Sequence, residues 1–334
     1  MHAYRAPRWL AGSGFVGGNL QTIWPALFAR RFEGSAPVYR RERWDTPDGD
    51  FVDVDFQCAA PPATGGPWHA PPWLVLFHGL EGSSASHYAQ AFAHWARNHG
   101  WAFAVPHFRG CSGELNLAPR AYHSGDFEEV GWMLERLRAR SPGPLVAVGI
   151  SLGGNALLRW AEEAGDGAAR VARCVCAISS PIDLAAGGHA IGRGFNRLVY
   201  SRMFLRTMRP KALAKLAQHP GLFDREAMLA ARDLYAFDNL FTAPLHGFRD
   251  TEDYWARASA KPQLDRIRIP ALVVNARNDP FVPAASLPNA AQAGPRVTLW
   301  QPAHGGHAGF PAGAPPGHVF TIPDAVMRWA QQES

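Results

Sequence analysis

The chain has 334 residues, 47% of them hydrophobic, which is ample apolar material for a large core in a fold that exceeds one average domain. Its net charge of +5 is a mild basic excess carried almost wholly by arginine. No zinc finger, basic zipper or RNA-binding signature accompanies it, so no nucleic-acid partner is expected. Four cysteines (Cys58, Cys111, Cys174, Cys176) make no disulfide framework in so long a chain. The absence of a run of about 18 apolar residues argues against a spanning helix. The N-terminus lacks a signal peptide's apolar core, so a cytoplasmic setting is expected.

Residues 1–37 read as an arm with little regular pattern, in which Asn19-Leu20-Gln21-Thr22-Ile23-Trp24-Pro25, Leu27 and Phe28 are apolar enough to pack on the body. Residues 38–57 read as a hairpin turning at Thr46-Pro47-Asp48-Gly49-Asp50. In its second arm Phe51, Asp53 and Asp55 alternate with Val52, Val54 and Phe56, as in a half-buried strand. A Pro-, Ala- and Gly-rich loop, 59–72, leads to the buried-strand run Trp73-Leu74-Val75-Leu76-Phe77 and then to His78-Gly79-Leu80-Glu81-Gly82-Ser83-Ser84. From there strands and helices alternate, as in a doubly wound parallel sheet. Tyr88 to His99 is a helix closed by Gly100, Ala102 to Pro106 a strand, Asp126 to Arg140 a helix and Leu145 to Gly149 a strand. Ala172 to Ile178, 270–275 and 296–300 are further strands, and Asp324 to Gln331 is a closing helix. Cys174 and Cys176, two apart in a strand, share a face and are expected to pack rather than bridge.

The first chemical landmark is Gly149-Ile150-Ser151-Leu152-Gly153-Gly154-Asn155, a G-x-S-x-G pattern between a strand and a helix-like run from Asn155 to Glu163. With 33 glycines in the chain, a chance match is conceivable, but one in this context is far rarer. The expected turn lifts Ser151 out of the sheet edge, and Gly149 and Gly153 remove side chains that would clash there. A serine hydroxyl needs a base, an acid to orient that base, and donors for an oxyanion. Asp279 and His307 follow in the order this fold type uses, each in a loop just past a strand. The backbone N–H groups of Leu80 and Leu152 are the candidate oxyanion donors, with His78 bracing the loop rather than transferring protons. His304 is the rival base. His304 and His307 lack a convincing third ligand, so neither metal nor cofactor is expected.

Between Ser180 and Ile269 the alternation stops, and 181–269 reads as a helical lid inserted in a core made of 38–180 and 270–334. From Leu184 to Phe223 there is no Asp or Glu, while Arg193, Arg197, Arg202, Arg206, Arg209, Lys211 and Lys215 supply seven cations. At about 100° per residue one straight helix would set Arg193 and Arg197 opposite Arg202, Arg206 and Arg209, so two short helices are expected. Three readings of the segment stand open: an ordinary cap, a surface for peripheral contact with an anionic membrane, or a holder for an acidic group of the substrate.

These pieces together resemble the YheT-like branch of the α/β-hydrolase superfamily, whose eukaryotic relatives include lipid-active hydrolases. The resemblance rests on Leu20-Gln21-Thr22, Thr46 to Phe51, Phe77 to Ser83, His107-Phe108-Arg109-Gly110-Cys111-Ser112-Gly113-Glu114, Tyr122-His123-Ser124-Gly125, Gly149 to Asn155, Asp279-Pro280-Phe281 and Gly305 to Phe310. In the lid, Phe237-Asp238 and His246-Gly247-Phe248 look similar too. Asn19 departs from the pattern, which carries His before Leu-Gln-Thr. The resemblance implies an α/β-hydrolase fold, esterase chemistry on a small or lipid-like acyl ester, and a triad at Ser151, Asp279 and His307. A thioesterase or other acyl hydrolase on the same residues, or a non-catalytic binding protein on the same fold, remains an alternative.

Overall fold

The structure, a computed structural model, describes residues 4–12, 14–57 and 70–333. Cys58 and the loop expected over 59–72, as far as residue 69, lie outside the described residues. Eight strands form one sheet: β1 (Arg40–Asp45), β2 (Phe51–Gln57), β3 (Trp73–Phe77), β4 (Ala102–Pro106), β5 (Leu145–Ile150), β6 (Cys174–Ile178), β7 (Ala271–Val274) and β8 (Val297–Trp300). Their spatial order is β1-β2-β4-β3-β5-β6-β7-β8. β1 and β2 pair antiparallel, as do β2 and β4, and all other pairs are parallel.

The apolar runs that mark these strands are apolar because both faces of the sheet are covered. Val75 and Phe77 of β3, with Leu145 and Ala147 of β5, face one core, closed by the helices α3 (Phe127–Arg140) and α4 (Leu152–Ala164). Leu74 and Leu76, with Val146, Val148 and Ile150, face a second core under α2 (His87–Asn98) and the C-terminal helix Thr321–Gln332. Cys174 and Cys176 are buried, free thiols in that second core. Because β3, β5, β6, β7 and β8 run parallel, their carboxyl ends open at one edge, where the following loops meet.

Two elements differ from the sequence reading. The arm is not irregular: Gly14–Leu27 forms a helix, α1, with Pro25 inside it. Glycine and proline are poor helix formers, so the helix is set by its contacts rather than by propensity. A Cβ on Gly18 would come within 2.0 Å of the Asn278 carbonyl oxygen, so this glycine lets α1 lie directly on the loop after β7. The second difference is β2, all seven residues of which are buried, where half were expected to be exposed. Its carboxylates are covered by partners from neighbouring elements. Asp53 takes Arg43 at 2.9 Å, and Asp55 takes Arg41 at 2.7 Å and His107 at 2.9 Å.

Between β6 and β7, residues 179–270 contain helices and no strand among the described residues. Leu184–Ile191, Arg202–Gln218, Arg225–Ala230 and Thr251–Ala258 are the longer helices, and two π turns, Arg197–Ser201 and Asp238–Thr242, interrupt the shorter ones. These helices share an apolar cluster, including Tyr200, Leu205, Met208 and Phe237, with Phe281 and Val282 of the body. Among the described residues no helix is long and apolar enough to cross a membrane.

Asn155 stitches this helical segment to α4. One turn into α4 and fully buried, it donates to the carbonyls of Ser124 (2.7 Å) and Ala258 (2.8 Å) and accepts from the Ala260 N–H (3.0 Å). Asn155→Ala strands three buried backbone groups and is expected to cost about 3 kcal/mol or more. Urea unfolding of the variant beside the wild type measures this, and a loss under about 1 kcal/mol would show that water replaces the amide.

Candidate active site

Ser151 occupies the turn between β5 and α4 with φ 53° and ψ −120°, a left-handed conformation that costs a non-glycine residue about 1–3 kcal/mol. The turn is tight on both sides. A Cβ on Gly149 would sit 2.5 Å from the Gly153 carbonyl oxygen, and one on Gly153 would sit 2.5 Å from the carbonyls of Phe77 and His78. The Ser151 N–H is tied to the Ile178 carbonyl at 2.8 Å, which fixes the turn against β6.

Asp279 and His307 arrive from the loops after β7 and β8. The Asp279 carboxylate accepts from the N–H groups of Phe281 (2.8 Å) and Val282 (3.3 Å). It also faces His307 Nδ1, with Oδ2 at 2.9 Å and Oδ1 at 3.2 Å. His307 Nε2 lies 2.9 Å from Ser151 Oγ. A carboxylate can only accept, so Nδ1 carries the proton and Nε2 presents its lone pair to the serine hydroxyl. Both Asp279 and His307 are buried. His304 makes no hydrogen bond to Ser151 or Asp279 among the described residues, and its Nδ1 is buried without a partner. Of the two candidate bases, the structure brings His307 to the serine.

Most backbone donors around Leu80 in the loop after β3 are committed. Gly79 N–H donates to Tyr88 Oη (3.0 Å), Glu81 N–H to Tyr122 Oη (2.9 Å) and Gly82 N–H to the Gly79 carbonyl (2.9 Å). No hydrogen bond among the described residues engages the Leu80 N–H. The Leu152 N–H lies in the first turn of α4, where backbone donors lack a helical partner. His78 is fully buried. Its Nδ1–H donates to the Gly79 carbonyl (2.8 Å), and its Nε2 accepts from the Phe108 N–H (3.1 Å). Burial pushes its pKa down to about 3, so it is a neutral brace for this loop.

A cleft opens at Ser151, with Leu184, Ile191, Phe204, Met208 and Phe281 among its walls. It adjoins a second cavity, and Leu80, Leu152, Met208, Asp238 and Tyr254 line both. Asp238 accepts from Thr242 Oγ1 (2.7 Å) and Trp255 Nε1 (3.1 Å), and burial raises its pKa to about 6. Lys211 and Lys215 line the second cavity and are committed there. Lys211 pairs with Glu81 at 2.8 Å. Lys215 donates to the Asn116 carbonyl and to Gln218 Oε1, and burial lowers its pKa to about 8. None of the lid's five arginines before residue 210 lines either cavity.

Sequence reasoning quoted Gln21 and Thr22 without giving them a role. Gln21 is fully buried; it donates to the Leu10 carbonyl (2.8 Å) and accepts from the Gly305 N–H (2.8 Å) and Asn278 Nδ2 (3.0 Å). Thr22 Oγ1 donates to the Gly18 carbonyl (2.7 Å) and accepts from the His307 N–H (2.9 Å). Asn278 Oδ1 accepts from the Gly306 N–H (3.1 Å). The signal available in the sequence was a polar pair inside the apolar run from Leu20 to Trp24. Among the described residues no group of three or more His, Cys, Asp or Glu side chains could hold a metal ion.

Comparison with known proteins bears on the family and the fold. The family model described as alpha/beta hydrolase fold matches residues 72–314. YheT of Escherichia coli (strain K12) is 39% identical over 303 residues, covering 90% of this chain and 86% of its own. The Mus musculus protein named phospholipase ABHD3 is 29% identical over 296 residues, covering 87% and 70%. The solved structure of a Pyrococcus furiosus esterase superposes with a TM-score of 0.51 at 17% identity, covering 92% of this chain and 95% of that one, a likeness of fold. With a mostly parallel eight-stranded sheet, a family match over most of the chain and a relative at 39% identity, the chain belongs to the α/β-hydrolase family, in its YheT-like branch.

Proposed function

We propose that the protein hydrolyses carboxylic esters through an acyl-enzyme on Ser151, with His307 as general base and Asp279 as its orienting acid. The observation that carries this reading is His307 bridging Ser151 Oγ and Asp279 Oδ2 at 2.9 Å on each side. In the proposed cycle His307 Nε2 takes the hydroxyl proton as Oγ attacks the ester carbonyl carbon, and the carbonyl oxygen becomes an oxyanion. The Leu80 and Leu152 N–H groups stabilise that charge. His307 then gives its proton to the leaving alcohol as the ester bond breaks. Water, deprotonated by the same imidazole, attacks the acyl-enzyme and releases the acid. Asp279 holds the tautomer and stabilises the imidazolium throughout. The apolar walls of the cleft suit an acyl chain. In its favour too, YheT carries a provisional esterase name and ABHD3 a phospholipase name.

The arm enters this reading through position. Gln21 and Thr22 touch no reacting atom, yet they hold the backbone of Gly305 and His307 and, through Asn278, the loop that carries Asp279. They are positioning residues, and they act on the distance between base and nucleophile.

Four outcomes are expected. Ser151→Ala lowers kcat on p-nitrophenyl esters by about 10⁴- to 10⁶-fold with the fold intact, His307→Ala does the same, and Asp279→Asn less. A fluorophosphonate probe labels Ser151. A folded wild type that takes no label would leave a non-catalytic binding protein, and a loss confined to His304→Ala would transfer the base to His304. Activity persists in EDTA, because the developing charge is held by backbone donors; loss on chelation with rescue by zinc would overturn the serine mechanism. Finally, Gln21→Ala and Thr22→Val lower kcat about 10- to 100-fold at nearly constant KM and speed amide exchange at Gly305 and His307, whereas Thr22→Ser keeps activity. A rise in KM with kcat unchanged would give the arm a substrate-binding role instead.

A further inference from the structure

Five of the lid's arginines gather away from the Ser151 cleft. Arg197, Arg202, Arg206, Arg209 and Arg232 line one groove, between the run 194–218 and the end of the helix Arg225–Ala230. Sequence periodicity set Arg197 away from Arg202. The π turn Arg197–Ser201 removes that separation, because its wider i to i+5 spacing brings residues five apart over one another. The run is therefore continuous rather than two separate helices, and its phase is reset within it.

The charge in this groove is uncompensated. Among the described residues none of the five arginines takes part in an ion pair, and Lys211 is the sole cation of the acid-free stretch 184–223 that does. The nearest carboxylates in sequence are occupied. Asp224 caps the Ala227 N–H at 2.6 Å, Glu226 pairs with Arg225 at 2.7 Å, and Asp233 caps the Ala236 N–H at 3.0 Å. Like charges three and four apart on one helix face, as at Arg202, Arg206 and Arg209, destabilise it unless an anion intervenes. Arg209 donates to the Ala231 carbonyl and leaves its Nε buried without a partner.

Apolar side chains stand exposed among these cations. Leu198 and Leu229 line the groove at 53% and 38% exposure, and Met203, beside Arg202, is 51% exposed. Phosphates of a nucleic acid would satisfy the guanidinia but not the leucines and methionine. Alternating apolar and cationic groups on one outer face match the two layers of a bilayer surface, acyl boundary and phosphate. The same helix turns Phe204 and Met208 into the Ser151 cleft, so its two faces join that surface to the site.

We propose that this outer face docks on an anionic lipid bilayer, with Arg197, Arg202, Arg206, Arg209 and Arg232 at headgroup phosphates and Leu198 and Met203 in the interface. Docking is independent of the proposed chemistry, because binding is read without turnover. The experiment uses full-length Ser151→Ala protein and co-sedimentation with two sets of vesicles, phosphatidylcholine alone or with about 30% phosphatidylglycerol. Partition onto the anionic vesicles is expected to exceed that onto neutral ones at least tenfold, and to fall as salt rises from about 0.05 M to about 0.5 M. Arg197→Gln, Arg202→Gln and Arg206→Gln together lower it about 10- to 100-fold. Leu198→Ser with Met203→Ser lowers it in both salts. In the Ser151 background both sets keep the wild-type rate on a short soluble ester. Equal partition onto both vesicles, an arginine variant that binds like its parent, or no vesicle binding at all would overturn the proposal. Retention on heparin without vesicle binding would assign the face to a polyanionic macromolecule instead.

Discussion

The site depends on keeping His307 Nε2 within hydrogen-bond reach of Ser151 Oγ, a 2.9 Å contact between two loops that the sheet alone does not hold together. Each end sits in backbone that resists being there. Ser151 has φ 53°, and Ala308 and Phe310, which follow the histidine, have φ 54° and 43°. Strain of this kind persists only where surrounding bonds over-determine it. Here they do. Ile178 takes the Ser151 N–H, Thr22 the His307 N–H and Ser179 the Ala308 N–H at 2.9 Å, while the neutral His87 ring contacts the Ala308 carbonyl at 3.0 Å. Burial lowers the His87 pKa to about 4, so no second charge is set beside the base. In the proposed mechanism, rigid geometry at the nucleophile and its base lets a weak hydroxyl act without a search for the reactive arrangement.

The segment over the site repeats this division between inward and outward work. Its inward lysines are spent on protein partners, Glu81 and the Asn116 carbonyl, so their hydrogen-bonding capacity is met within the protein. Its outward arginines form no ion pair among the described residues, although Arg209 donates to the Ala231 carbonyl. A side chain on a helix cannot serve both faces, so the π turn, by rotating Arg197 toward Arg202, decides which face collects charge. Sequence patterning at a fixed angle per residue is blind to such a turn, because it takes every residue to advance by the same angle.

The strands that carry the candidate site were legible in the sequence, and for a physical reason. A parallel strand covered on both faces must be apolar at every position, so Trp73 to Phe77 and Leu145 to Gly149 announce themselves. The serine turn was legible because Gly149 and Gly153 are demanded by backbones only 2.5 Å from any added Cβ. The order of Ser151, Asp279 and His307 followed from what each strand end could present. What escaped was whatever depends on distant partners. Asp53 and Asp55 read as solvent-facing because nothing local says that Arg43, Arg41 and His107 cover them. The arm read as irregular because Gly14, Gly17, Gly18 and Pro25 are poor helix formers, and the contacts that override them come from residues some 260 to 290 positions away.

That last failure is itself informative about the site. A helix whose own residues oppose it forms only where packing gain outweighs propensity, and the packing gain of α1 lies against the loops after β7 and β8. Gly18, costly inside a helix by about 1 kcal/mol relative to alanine, is the residue that lets the helix reach the Asn278 carbonyl. The polar atoms of Gln21 and Thr22 are then buried against backbone donors that would otherwise be unpaired at the histidine loop. Local propensity is sacrificed at the point where the proposed base is held. The disagreement between sequence pattern and structure thus falls where the proposed chemistry makes its strictest geometric demand.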